Sequence, residues 1–101
     1  RFSPTMIEHT VTFSLSHPAG SAKEADFLRA AAALSEIAGV RDFRIRRQVS
    51  DKHPHAFGIT MNFATREDYD VYCRHPRHDE FVRERWLVEV SDFQEADFVD
   101  L

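Results

Sequence analysis

Residues 7–15 read Ile-Glu-His-Thr-Val-Thr-Phe-Ser-Leu, a stretch in which large and polar side chains alternate. Ile7, Val11 and Phe13 fall on one side of an extended chain, and the polar residues between them fall on the other. This period of two predicts a half-buried β-strand. His9 shares the apolar side of the strand, so we expect its ring to point beneath the layer that covers the sheet.

Two later stretches alternate in the same way and predict a second and a third strand. Their expected inner-face residues are Phe43, Ile45, Arg47, Val49, Phe57, Ile59, Met61 and Phe63. Residues 51–55 between them read as a loop. The position of the last strand stays open because residues 86–93 and 95–100 both alternate, and we favour 95–100.

Helix signals lie between these strands. Ser21 with Glu24 forms a capping-box pattern that predicts the start of a first helix, and Gly39 suits its left-handed end. Thr65 and Pro76 mark the starts of a second and a third helix. The order strand, helix, strand, strand, helix, helix, strand predicts an α+β fold, a ferredoxin-like antiparallel sheet with helices on one face.

The composition narrows the class of protein. The chain has 101 residues, enough for one domain, and its net charge of −4 argues against nucleic acid or an anionic membrane as a partner. A single cysteine, Cys73, favours a cytoplasmic location. Residues 1–5 precede Met6 and carry no pattern, so we interpret them as an N-terminal arm or a cloning remnant and assign the domain to residues 6–101.

Several short motifs occur together in this domain. A histidine-proline-any-histidine motif at residues 75–78 follows Tyr72 by three residues and accompanies His9 in the first strand. Further matching segments are Glu8-His9-Thr10-Val11-Thr12-Phe13, Ala38-Gly39-Val40 and Phe63-Ala64-Thr65. In combination, these residues resemble the stress-responsive A/B barrel (Dabb) domain family. The resemblance implies a homodimer in which two sheets pack through their open faces as a dimeric α/β barrel.

The resemblance also implies candidate catalytic residues. In the plant polyketide cyclase that makes olivetolic acid, two catalytic histidines and an assisting tyrosine correspond to His9, His78 and Tyr72 of this chain. A further tyrosine of that enzyme would fall among residues 30–32, where this chain has none. We therefore do not expect the same substrate.

Two histidines and a tyrosine suit proton transfer near neutral pH. Together they can remove a proton next to a carbonyl group and stabilise the enolate, which makes a cyclase, lyase or isomerase reaction possible without a cofactor or a metal. We expect a small apolar or aromatic carbonyl ligand. Arg77 is the candidate for binding a substrate carboxylate, and Phe27 and Trp86 are candidates for contacts with the ligand.

Other interpretations of the same residues stay open. His9 can be a hydrogen-bonded core residue, and His78 can cap the helix that it begins. The protein is then a non-catalytic stress or ligand-binding protein, and a cofactor-independent monooxygenase is a third class. An open cavity of about 300 Å³ or more that reaches both imidazoles would favour a small-molecule function.

Overall fold

The computed structural model describes residues 6–101, and the interpretation of residues 1–5 as an arm or a remnant lies outside the described part. The elements follow in the order β1 (Ile7–Leu15), α1 (Ala22–Ala32), β2 (Arg41–Arg47), β3 (Phe57–Phe63), α2 (Arg66–Arg74), α3 (Pro76–Phe81), α4 (Leu87–Glu89) and β4 (Val90–Phe98). A 3₁₀ turn (Ala33–Glu36) extends α1, and a π-helical turn (Val82–Trp86) joins α3 to α4. No helix in residues 6–101 has the length and apolar character that crossing a membrane requires.

The four strands form one antiparallel sheet in the order β2-β3-β1-β4. The helices cover one face of this sheet, so the predicted ferredoxin-like α+β fold is confirmed. The largest fully buried side chains are Phe13, Phe27, Met61, Phe63 and Tyr72, and they fill the space between the sheet and the helices. The opposite face of the sheet is left open.

The local signals for the helices are confirmed. The Ser21 hydroxyl accepts a hydrogen bond from the Glu24 N–H, and the Glu24 carboxylate accepts one from the Gly20 N–H. The Thr65 hydroxyl accepts from the Asp68 N–H in the same way at the start of α2. Gly39 has a φ of +92°, which is the left-handed region that a residue without a Cβ adopts at little cost.

Two strand boundaries differ from the prediction. β2 ends at Arg47, and Val49 lies beyond it with its side chain exposed. β4 includes most of the favoured range but begins at Val90, because residues 86–89 complete the preceding helical segment. The alternation across 86–93 therefore spans the change from helix to strand.

His55 is buried, although it lies in the predicted loop of residues 51–55. Its Nδ1 lies 2.8 Å from the Thr12 hydroxyl, and its Nε2 lies 2.8 Å from a carboxylate oxygen of Asp92. Thr12 is on β1 and Asp92 is on β4, so the ring connects the β2–β3 loop to two strands on the open side of the sheet. These two hydrogen bonds explain how a polar ring is buried there.

Glu89 connects the end of the helical layer to the loop between β1 and α1. Its carboxylate lies 2.6 Å from Nε of Arg85 and 2.7 Å from Nε2 of His17, and its carbonyl accepts a hydrogen bond from the Ser16 N–H. The hydrogen bond with Arg85, followed by that with His17, lowers the pKa of Glu89 below its usual value, against the opposing effect of burial. The ionised carboxylate therefore stabilises the folded chain.

We expect Glu89→Gln to lower the free energy of unfolding by about 1 kcal/mol at neutral pH, since charge-assisted hydrogen bonds are lost. The pKa of Glu89 is depressed in the folded state, so its contribution is present above the unfolded pKa and disappears as the pH falls through the folded value. Urea denaturation at about pH 7 and about pH 3 should show a larger difference between wild type and variant at the higher pH. Glu84→Gln, at an exposed carboxylate, is the control, and a deficit of equal size at both pH values would contradict the assignment.

Candidate active site

A cavity of about 250 Å³ lies between the sheet and the segment from α2 to α4. Its lining residues are His9, Val11, Leu34, Ile59, Met61, Tyr72, His78, Phe81, Val82, Trp86, Leu87, Phe93 and Glu95. Its volume is somewhat smaller than the about 300 Å³ given above as favouring a small-molecule function. It does reach both imidazole rings, and most of its wall is apolar or aromatic.

His9 is held in one orientation on the floor of the cavity. β1 and β4 pair so that His9 lies directly opposite Asp97, and Nδ1 of the ring is 2.6 Å from Oδ1 of that carboxylate. The second carboxylate oxygen accepts a hydrogen bond of 2.8 Å from the Tyr69 hydroxyl, and the Tyr69 and His9 rings pack with their centroids 5.4 Å apart. With Nδ1–H donating to Asp97, Nε2 of His9 carries the lone pair that can accept a proton.

Tyr72 lies between the two histidines. Its ring centroid is 6.2 Å from that of His9 and 4.6 Å from that of His78. The side chain is almost fully buried, and this burial raises the pKa of Tyr72 above its usual value, with a smaller contribution from the negative charge of Glu95. The phenol therefore stays protonated near neutral pH and can donate a hydrogen bond to a ligand.

His78 lies in the first turns of α3 and is half-buried. Burial lowers the pKa of His78, and the repulsion that would arise if His9 and His78 were both protonated lowers it further, against a smaller opposing effect of the Cys73 carbonyl. Its Nδ1 is buried without a hydrogen-bond partner among the described residues. The cap of α3 is supplied instead by His75, whose Nδ1 accepts from the Arg77 N–H. His78 is thus a neutral imidazole beside the cavity and is not the helix cap.

The π-helical turn shapes the wall opposite β1. The Leu87 N–H donates to the Val82 carbonyl, five residues earlier, which widens the helix at this point. Val82, Trp86 and Leu87 all contribute to the cavity wall. Turns of this kind occur often at functional sites.

Two expected ligand contacts lie elsewhere. Phe27 is fully buried in the core, packed against Phe13, Phe81 and Trp86, and does not line the cavity. Arg77 is exposed on the outer side of α3 and pairs with Glu36 at 3.2 Å. Consecutive helical residues point about 100° apart, so a helix that turns its next residue, His78, toward the cavity directs Arg77 away from it. Trp86 does line the cavity.

Three polar residues near His9 were not predicted from the sequence as part of the site: Tyr69, Glu95 and Asp97. Glu95 and Asp97 are carried by the inner face of β4, where acidic side chains hide the alternation that marks a buried strand face. Tyr69 lies one helical turn before Tyr72, a spacing that places both on one side of α2. This i, i+3 spacing was the available signal. Among residues 6–101, no three His, Cys, Asp or Glu side chains converge in a way that could hold a metal ion.

Comparisons with known proteins agree with this architecture. The family model Dabb, described as the stress responsive A/B barrel domain, matches residues 7–100. A solved Dabb family protein with a ferredoxin-like fold from Mesorhizobium loti is 46% identical, with a TM-score of 0.93 over 96% of this chain and 98% of that one. No curated protein matches the sequence.

More distant structures share the fold at low sequence identity. A dimeric ferredoxin-like protein of unknown function from Thermobifida fusca is 14% identical, with a TM-score of 0.79 over 99% of this chain and 95% of that one. A hydroxynitrile lyase from Passiflora edulis is also 14% identical, with a TM-score of 0.80 over 97% of this chain and 95% of that one. At these identities the likeness concerns the fold alone.

The burial of His78 predicts a titration midpoint below its ordinary value of 6.5, because the charged ring is disfavoured in this position. We expect its ring carbon–proton signal, followed by NMR from about pH 8 to about pH 5, to reach the midpoint of its shift below pH 6.5. The signal is assigned by its absence in His78→Gln. A midpoint at or above 6.5 would contradict the buried, neutral ring described here.

Proposed function

This chain belongs to the stress responsive A/B barrel (Dabb) domain family, and we propose that its cavity binds a small apolar or aromatic carbonyl compound and transfers protons on it without a cofactor. The hydrogen-bonded pair of Asp97 and His9, which faces the same cavity as Tyr72 and His78, is the observation that carries this proposal. The reaction class is a lyase, cyclase or isomerase type of step.

His9 acts as the general base in this proposal. Asp97 fixes the tautomer and the orientation of the ring, as a carboxylate does behind a catalytic histidine, and it stabilises the imidazolium that forms when Nε2 accepts a proton. The proton comes from the carbon next to the carbonyl group of the ligand, and the electron pair moves onto the carbonyl oxygen to form an enolate.

Tyr72 and His78 complete the proton path. The Tyr72 phenol, kept protonated by burial, donates a hydrogen bond to the carbonyl oxygen and stabilises the developing negative charge. His78 packs against this ring and is neutral near pH 7, so it can accept a proton at one stage and return it at another. Every group that the step needs is supplied by one subunit.

The hydroxynitrile lyase of similar fold supports a proposal of this kind by analogy. Its name describes a reaction that makes or breaks a bond at a carbonyl carbon, which is chemistry that a histidine base can assist. The apolar wall of the cavity, which includes Ile59, Phe81 and Trp86, favours a hydrocarbon or aromatic body next to the reacting group.

Hydrogen–deuterium exchange of acetophenone in D₂O tests the proton-transfer step directly. We expect the protein to accelerate exchange of the methyl protons above the buffer rate, as measured by proton NMR. His9→Gln and His78→Gln should each reduce this acceleration by about 100-fold, the usual contribution of a general acid or base, and Asp97→Asn by about tenfold or more.

The chain offers a matched control for this experiment. Asp92→Asn removes the carboxylate from a second histidine–aspartate pair, in which an exposed aspartate contacts the buried ring of His55 on the opposite face of the sheet. This variant should exchange acetophenone at the wild-type rate. If acetophenone binds but exchanges at the buffer rate, the protein binds ligands without catalysis. If Asp92→Asn and Asp97→Asn have equal effects, the loss reflects stability and not the site.

We further propose that the open face of the sheet forms a homodimer. Polar groups from Glu8, Arg44, Arg46, Thr60 and Asn62 lie together on this face. Phe98 lies opposite Glu8 on the same face, and its ring is more than half exposed in the single chain. An apolar margin beside a polar centre is suited to a partner surface, and the similar Thermobifida fusca protein is dimeric.

Arg46→Glu should weaken this dimer by about tenfold or more. The change removes the hydrogen bond of 3.3 Å from the guanidinium to the Thr60 hydroxyl and adds a second carboxylate to the face that already carries Glu8, so that acidic groups of both subunits would meet in the contact. Light scattering over a dilution series gives the dissociation constant. Lys23→Glu makes the same change of charge at an exposed position on α1, away from this face, and should leave the dimer intact. An unchanged dimer in Arg46→Glu would show that the subunits do not associate through this face.

A further inference from the structure

One fixed charge lies among the thirteen side chains around the cavity. Apart from the two histidines, Glu95 is the only ionic group among the described residues that line it. Glu95 is carried by β4 opposite Val11, and two residues further along the same face comes Asp97. The acidic groups of the site are therefore concentrated on one strand.

The position of Glu95 leaves the reacting atom of His9 accessible. Its Oε2 is 3.8 Å from Nε2 of His9, which is beyond hydrogen-bond distance, while Asp97 holds Nδ1 at 2.6 Å. Nε2 is thus free to meet a ligand, but the ring has a carboxylate near each of its nitrogens. An anionic group brought to Nε2 would lie beside the Glu95 carboxylate.

Arg77 and Arg85 of the helical layer do not compensate this charge. Arg77 pairs with Glu36 outside the cavity, and Arg85 pairs with Glu89 and Asp26 at the helical surface. Arginine or lysine is the usual partner for a ligand carboxylate or phosphate, and none of either type lines the described cavity. The cavity therefore lacks the arginine or lysine that usually binds the full charge of a ligand carboxylate or phosphate.

We infer that Glu95 is a specificity-determining residue that excludes carboxylates and phosphates from the cavity. The ligands that reach His9 are uncharged or cationic, such as neutral aromatic ketones, aldehydes, alcohols or amines. This inference rests on the proposed function of the cavity and names the charge class of its substrate. It replaces the expectation that Arg77 receives a substrate carboxylate.

Three planar probes of nearly equal shape test the inference: benzoate, benzamide and benzamidine, with charges of −1, 0 and +1. The indole N–H signal of Trp86, the single tryptophan and a cavity residue, reports their binding by NMR titration of the intact protein. In the wild type we expect benzoate to bind about fivefold or more weakly than benzamide, because its carboxylate would lie beside that of Glu95, whose side chain is 56% exposed and whose charge water screens only in part. Benzamidine should bind at least as tightly as benzamide.

Glu95→Gln should bring the affinity for benzoate to within about threefold of that for benzamide, and it should change the affinity for benzamide itself by less than about twofold. Glu80→Gln removes the same charge from an exposed position on α3 outside the cavity, and it should preserve the wild-type discrimination. This control separates a local effect of Glu95 from a change in net charge.

Three results would overturn the inference, and only the last of them also removes the proposed function. If benzoate and benzamide bind the wild type equally, or if Glu95→Gln leaves their ratio unchanged, Glu95 does not select by charge and the proposed function still stands. If no probe shifts the Trp86 signal, the cavity is not a small-molecule site, and the proposed function falls together with the inference.

Discussion

The pairing of β1 with β4 places Asp97 directly opposite His9, and the candidate site depends on this register. A histidine beneath a helical layer needs a partner for its ring nitrogen, and the carboxylate supplies one at 2.6 Å. A shift of one residue would put Ala96 or Phe98 opposite His9 and would turn Asp97 to the open face. The strand with the most exposed residues therefore supplies the hydrogen-bond partner of one of the three buried polar side chains among the described residues.

The fold could be predicted because most of its signals are local. In strand β3, buried and partly buried residues alternate without interruption. The Ser21 and Thr65 side chains each cap a helix by a hydrogen bond to the N–H three residues later. β4 was harder to locate for a physical reason. Its inner face carries Glu95 and Asp97, while the apolar alternation of Ala96 and Phe98 belongs to the open face. A rule that assigns apolar residues to the core therefore predicts the wrong face of this strand to be buried.

The site was predictable where a residue type is rare on its face or belongs to a motif. His9 stands out in an apolar stripe, and Tyr72 and His78 belong to the resemblance with the family. Phe27 shows the limit of periodicity, since a residue of the helical stripe can fill the core without reaching a cavity. The contact of Asp97 with His9 joins residues 88 positions apart, and no local pattern encodes such a pair.

The two walls of the cavity have different physical roles. His9, Tyr72 and His78 form a chain of neighbouring rings, so the groups that can move protons are gathered together. The π-helical turn and the first residue of α4 contribute Val82, Trp86 and Leu87, whose side chains are uncharged and shape the cavity. A ligand with one polar end gains most when that end meets the rings and its hydrocarbon part lies along the turn. Changes in the helical wall can therefore alter which hydrocarbon fits while the hydrogen bond between Asp97 and His9 stays as it is.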